Sequence, residues 1–143
     1  IGYAKYLYDL ANKLDIMDHL ELMGPQDTRG MIKAMLSANT FVLSSCIENG
    51  PNTMMEAMWL GLPCVCSYVG GAMQFAEENK EAIFYRFEEP EILAYELDRL
   101  WSNDDVANTL SVNARKRAEK FENFNDVYLR YRDMYQELIE ENK

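Results

Sequence analysis

Long apolar runs, positive charge and cysteine are all scarce in this sequence, and each scarcity removes a class of function. No stretch approaches the roughly 18 consecutive apolar residues of a membrane-spanning helix, and the first residues read as helix rather than as a signal peptide. Only 14 basic residues stand against 24 acidic ones, for a formal net charge of −10. Phosphate-backbone binding depends on clustered Lys and Arg, so nucleic acid is a poor partner, and no basic membrane-surface patch is present. The three cysteines, Cys46, Cys64 and Cys66, are an odd number, and two sit in an apolar strand-like run. Free Cys in such a run behaves as a small buried hydrophobe, which points to a reducing cytoplasm and away from a disulfide scaffold. The single histidine, His19, lies before an expected strand on the amino-terminal edge, without an orienting partner for base catalysis. It reads as surface or filler. Cys64 and Cys66 share one face of a strand, but two sulfurs with no other Cys or His nearby do not make a zinc site.

What is present is a 143-residue chain, 48% hydrophobic, enough for one domain with a real core. Leu7, Leu10, Ala11 and Leu14 give Tyr3 to Leu14 the stripe of an amphipathic helix. Leu20 to Gly24 reads as a short strand ending in Gly-Pro. Asp27 or Thr28 can cap a helix over Arg29–Ala38, with Met31, Ile32, Met35 and Leu36 inward. Thr40 to Ser45 is a continuous apolar strand, as expected when both faces are covered. A helix from Asn52, taken as its N-cap, to Leu60 is closed by Gly61 and Pro63. Pro63 to Ser67 is the next buried strand, followed by a Gly70-Gly71 turn, a helical segment near Met73–Glu78 and a short strand at Ala82–Tyr85. Pro90 opens a helix with Ile92, Leu93, Leu97 and Leu100 on one face, and Asp104 starts another with Val106, Leu110 and Ala114. Phe121, Phe124, Tyr128, Tyr131 and Tyr135 form one stripe leading into a last helix at about 125–141, expected to pack as core. The acidic runs at Glu77–Glu81 and Glu137–Glu141 read as solvated faces. There is no internal repeat or flexible linker. Strands alternating with helices predict an α/β fold with a parallel sheet covered on both faces, whose ligands bind beyond the carboxyl ends of the strands.

The stretch from Ser44 to Gly71 carries the chemistry. Glu48 and Glu56 stand eight positions apart and flank the turn Asn49-Gly50-Pro51-Asn52. A helix start there offers unpaired N–H groups and about half a positive charge, which suits a phosphate. The amides of Asn52 to Met54 would point outward. Glu56, one helical turn in, repels a phosphate at contact but can accept two hydrogen bonds from a ribose diol. Glu48 projects from the strand end toward whatever lies beyond the phosphates. Such a division suits a sugar–diphosphate–nucleoside. Two glutamates near a helix start also occur simply because carboxylates stabilise that end, by about 0.3–1 kcal/mol.

The string E-N-G-P-N-T-M-M-E-A-M-W-L-G-L-P-C-V, followed by S-Y-V-G-G, resembles the E-x7-E signature of the retaining group 1 (family 4 type) glycosyltransferases. The resemblance extends to Leu22-Met23-Gly24 upstream and to a segment ending in Phe121 downstream. It implies a three-layer, Rossmann-like doubly wound parallel sheet with C-terminal helices, the carboxyl-terminal half of a two-domain GT-B enzyme, with residues 1–143 as one truncated domain. The last helix would then pack on this domain or toward the other one. Glu48 would contact the donor sugar and assist its reaction, and Glu56 would bind the ribose. The backbone amides around Asn52 and Thr53 would hold the diphosphate, Gly50, Pro51, Gly70 and Gly71 would also belong to the donor-binding set, and Gly24, Pro25 and Gln26 would lie beside the base. Such enzymes are usually metal-independent, and no D-x-D motif is present. Asp104-Asp105 reads better as a helix cap. Asn49 stands where the family has Gly, and Gln74 where it often has Glu. The family's diphosphate-clamping Arg and Lys would precede Ile1, so the chain reads as an excised piece, inactive alone.

The expected donor is a uridine- or guanosine-linked nucleotide sugar. The acceptor, a glycan or lipid, would be reached through the amino-terminal domain, in polysaccharide or glycolipid assembly. The expected place is the cytoplasm or the inner face of its membrane, with no cofactor. Two other readings remain open: a nucleotide-sugar epimerase of the same fold, and a non-catalytic binding module.

Overall fold

The computed structural model describes residues 2–121 and 124–141. The chain divides into two compact units, residues 1–31 and 32–143, each described by itself.

The first unit holds α1 (Tyr3–Lys13), a 3-10 turn at Met17–His19 and the start of α2 (Thr28–Ser37). In α1 the predicted stripe buries Ala11, while Leu7 and Leu14 stay largely exposed. Asp27 caps α2, its Oδ1 accepting the Gly30 N–H at 2.8 Å. The strand expected at Leu20–Gly24 is not formed. Leu20 takes extended angles (φ −117°, ψ 128°), but Leu20, Leu22 and Met23 are exposed and no ladder partner lies beside them among the described residues. An apolar run becomes a strand only where a neighbour accepts its backbone bonds.

The second unit is built on a parallel sheet of β1 (Phe41–Leu43), β2 (Cys64–Ser67) and β3 (Ile83–Tyr85), in that order. Val65 pairs with Val42 on one side and Ile83 on the other. Between the strands come α3 (Asn52–Trp59) and α4 (Ala72–Phe75); α5 (Pro90–Trp101), α6 (Asp104–Phe121) and α7 (Phe124–Glu141) follow. Every residue of β2 and β3 is buried. Because side chains alternate across a strand, both faces of that part of the sheet are covered. On one face Val65, Ile83 and Tyr85 pack with Leu100 of α5 and Leu110 of α6. Cys64 and Cys66 point the other way. β1 departs from the expectation of two covered faces: Val42 is 38% exposed.

Local chemistry explains the helix ends. Gly61 adopts φ +74°; its N–H bonds to Met58 O and that of Leu62 to Ala57 O, both at 3.0 Å. These are the two bonds of a Schellman C-cap. Pro90 occupies the first turn of α5, where no partner for its missing N–H is needed. Four expectations are corrected. The α6 cap is Asn103, whose Oδ1 accepts from Asp105 and Val106 N–H at 3.1 and 3.2 Å; Asp104 and Asp105 lie in the first turn, where their charge suits the helix dipole. Glu81 is buried rather than solvated, because its carboxylate accepts the Glu77 N–H at 2.9 Å and sits 3.8 Å from Arg117. The aromatic stripe does not pack: Tyr128, Tyr131 and Tyr135 are exposed. Phe121 is partly covered through an edge contact with Phe75, and the side chain of Phe124 lies outside the described residues. On α2 only Met35 is fully buried, with Ile32 and Leu36 exposed.

Burial pushes the Cys64 thiol well above its ordinary range and that of Cys66 up to about 12. Cys46 is exposed. Alkylation at pH 8 should therefore modify Cys46 alone in the folded chain, and all three thiols in denaturant. A raised acid pKa keeps the folded state protonated while the unfolded state ionises. Stability should hold below the ordinary thiol value of 9.0 and decline between there and about 12. Urea midpoints across that range, compared with Cys64→Ala/Cys66→Ala, check this.

Candidate functional site

The three parallel strands bring their carboxyl ends to one edge of the sheet. The chain leaving β1 runs from Ser44 to Pro51, and the chain leaving β2 runs through Val69, Gly70 and Gly71 into α4. These two connections lock onto each other through backbone. The Gly71 N–H donates to Asn49 O at 2.7 Å. Gly70 sits at φ +49°, and a Cβ there would lie 2.0 Å from Glu48 O; at Gly71 it would lie 2.9 Å from Asn49 O. Only glycine permits that approach. Side chains complete the hold. Ser67 Oγ donates to Ser45 O at 2.6 Å, and Ser45 Oγ donates to Glu48 Oε1 at 2.9 Å. The Glu48 carboxylate, half-buried, is thus steered from β2 through Ser45.

Beyond Glu48 the chain turns at Gly50 and the buried Pro51 into α3. Pro51, not Asn52, is the N-cap, with φ −74° and ψ 88° and no capping side chain. Its carbonyl takes the Met54 N–H at 3.0 Å, so Met54 does not offer its amide as expected. The amides of Asn52 and Thr53 have no acceptor among the described residues, and both residues are exposed. A helix start without a side-chain cap leaves its donors to solvent or to a ligand. Glu56 is exposed in the next turn of α3. One sheet edge therefore presents a held carboxylate, two free amides at a helix N-terminus and a second carboxylate.

A family model described as glycosyl transferases, group 1, matches residues 1–117. The chain belongs to that family. An uncharacterized glycosyltransferase of Methanocaldococcus jannaschii is 29% identical over 126 residues, which cover 88% of this chain and 30% of that protein. Among solved structures, sucrose-phosphate synthase from Thermosynechococcus elongatus matches with a TM-score of 0.84 at 23% identity, over 94% of this chain and 34% of that one. HepE of Anabaena, in complex with UDP and glucose, matches with a TM-score of 0.85 at 19% identity, over 94% and 36%. At those identities the likeness is one of fold, and it bears out the parallel α/β sheet expected of a GT-B domain. The chain spans about a third of the length of the relatives it matches.

Within this chain of the group 1 family the residues named from the sequence fall into two sets. Glu48, Gly50, Pro51, Asn52, Thr53, Glu56, Gly70 and Gly71 all belong to α3 or to the two interlocked connections. Gly24, Pro25 and Gln26 belong to the first unit. There Gly24 takes φ +64°, and the Gln26 amide donates to Met23 O at 2.6 Å, closing a tight turn. Sequence reasoning missed four supports. Ser45 and Ser67 look like ordinary strand-end polar residues. Phe75 places its ring tip 3.6 Å from where a Gly50 Cβ would be. Arg117, on α6, donates to Phe75 O at 3.1 Å and Gln74 O at 3.2 Å, tying down the end of α4. A buried run ending in Ser, as β2 does, was a signal for Ser67; nothing local marks Arg117. Tyr68, leaving β2, donates its hydroxyl to Glu78 at 2.6 Å. That bond, with some desolvation, pushes the phenol up to about 12, so it remains a donor at neutral pH.

Gly70→Ala is expected to force the Glu48–Asn49 backbone aside, at an overpacking cost of about 1–3 kcal/mol on top of the positive-φ strain. The exposed Gly2, whose Cβ would meet nothing within 4 Å, is the control. Urea midpoints of the two alanine variants compare the positions directly; equal midpoints would contradict the interlock.

Proposed function

We propose that this domain is the donor-binding half of a retaining glycosyltransferase that moves a sugar from a nucleoside-diphosphate donor to a glycan or lipid acceptor. The observation that carries the reading is the pair of unpaired amides at Asn52 and Thr53, set between Glu48 and Glu56 on the carboxyl edge of the sheet. Two free N–H groups at a helix start suit the diphosphate. Glu56 accepts from the ribose hydroxyls. Glu48, steered by Ser45, faces the donor sugar. The nucleotide is uridine- or guanosine-linked; UDP with glucose in the HepE complex supports the first. Membership of the group 1 family and the absence of a D-x-D motif favour a metal-independent reaction.

In the reaction the bond from sugar C1 to the phosphate oxygen breaks, and the acceptor hydroxyl oxygen bonds to C1 on the same face. The acceptor proton passes to the departing phosphate oxygen. The two amides stabilise charge growing on the diphosphate, and Glu48 stabilises the electron-poor sugar; preorganised groups of this kind contribute without reorganising at the moment of reaction. The acceptor is held by the rest of the enzyme, in the cytoplasm or at the inner face of its membrane, and the 143 residues alone turn over nothing.

In the full-length protein, Glu56→Ala should weaken UDP or GDP binding by about ten- to a hundredfold, as loss of a charge-assisted pair implies (about 1.5–3 kcal/mol). Glu48→Gln should leave nucleotide affinity within roughly a few-fold but lower transfer by about 10²–10³. Isothermal titration and product analysis read the two effects. Unchanged nucleotide affinity in Glu56→Ala would overturn the reading, and a changed sugar stereocentre without transfer would mark an epimerase.

A further inference from the structure

We propose that the cleft at the amino-terminal edge of the sheet, opposite the Glu48 loop, is a second binding site, and that its ligand is a neutral saccharide. The cleft has a volume of about 460 Å³, inside the range of about 300–1,000 Å³ typical of small-molecule sites. It lies where β1 and β2 begin, between the ends of α2, α3 and α5 and the start of α6. Its floor is closed: Met35, Leu62 and Leu100 are 6%, 5% and 1% exposed. The most exposed apolar side chains left to a ligand are Leu36 and Trp101, 64% and 63% exposed.

Trp101 is held in place. Its indole N–H donates to Thr40 Oγ1 at 3.1 Å, which ties the ring at the end of α5 to the start of β1. Around it stand the amides of Asn39 and Asn108 and the Asp104 carboxylate, all exposed and without a side-chain hydrogen bond among the described residues. The Ser111 hydroxyl is already used, donating to Gly61 O at 2.6 Å. The free groups thus offer both donors and acceptors. No Lys or Arg lines the cleft, and Asp104 is its single ionisable group, so phosphates and carboxylates are disfavoured. A purely apolar ligand would desolvate the two amides and the carboxylate without pairing them. A pyranose meets all three demands: an apolar C–H face for the fixed indole, a rim of hydroxyls that donate and accept, and no charge. This site does not depend on the transferase reading, since it shares no residue with the Glu48 loop.

In the ¹⁵N-labelled full-length protein each tryptophan gives one indole N–H signal, and those of Trp59 and Trp101 are assigned with Trp59→Phe and Trp101→Phe. Maltose, cellobiose, lactose and mannobiose are titrated in turn, with cyclohexanol and inorganic phosphate as controls. At least one disaccharide should shift the Trp101 signal saturably and leave that of Trp59 in place. Asn108→Ala, an exposed change that leaves the fold intact, should weaken that binding about tenfold, and Trp101→Ala should abolish shifts of the Asn108 amide. The proposal is overturned if none of the four disaccharides moves the Trp101 signal, if cyclohexanol or phosphate moves it as strongly, or if Asn108→Ala binds as well as the parent chain.

Discussion

Two backbone carbonyls, those of Glu48 and Asn49, rest against Gly70 and Gly71, and the candidate site depends on that contact. It leaves no room for a side chain: a Cβ on Gly70 would stand 2.0 Å from the Glu48 oxygen. The connection after β1 is therefore shaped by the connection after β2. The strands supply the reason the two meet. They are parallel and adjacent, so their carboxyl ends emerge side by side. Ser67, at the end of β2, reaches across to Ser45, and Ser45 reaches on to Glu48. The carboxylate proposed to face the donor sugar is in this way held from a buried strand, as preorganised sites require.

The same edge shows how the core serves the site. Val65, Ile83, Tyr85, Leu100 and Leu110 form one continuous cluster, and burying a large aliphatic side chain contributes about 1.5–3 kcal/mol. That cluster fixes β2 against β3 and α6. From α6, Arg117 extends to the carbonyls of Gln74 and Phe75, so the helix that closes the core also anchors α4 behind the glycine turn. Packing and site geometry are linked through one guanidinium far away in sequence.

Much of this was legible without coordinates. The helix ends at Gly61 and Pro90, the strands read at Pro63–Ser67 and Ala82–Tyr85, each within one residue of the observed strand, and the turn at Gly70-Gly71 follow from backbone rules that act locally. The errors share a cause. Leu20–Gly24 has the composition of a strand but no neighbour to bond with. The aromatic series through Tyr128, Tyr131 and Tyr135 has helical period, and α7 is helical, yet period alone does not supply a surface to bury against. Glu81 sits in an acidic run that reads as solvated, and becomes buried because Arg117 and the Glu77 N–H converge on it.

What the sequence by itself determined is the family, the α/β class and the residues from Glu48 to Glu56, because a motif string and a local helix start are written in adjacent positions. What only the tertiary structure decided is how those residues are held. The fit of Gly70 under Glu48 O, the Ser67–Ser45–Glu48 relay, the Arg117 anchor and the cleft around Trp101 each join segments 20 or more positions apart, except for Ser45 to Glu48. Contacts of that range are set by which strands lie side by side and which helices cover them, and no local pattern encodes that.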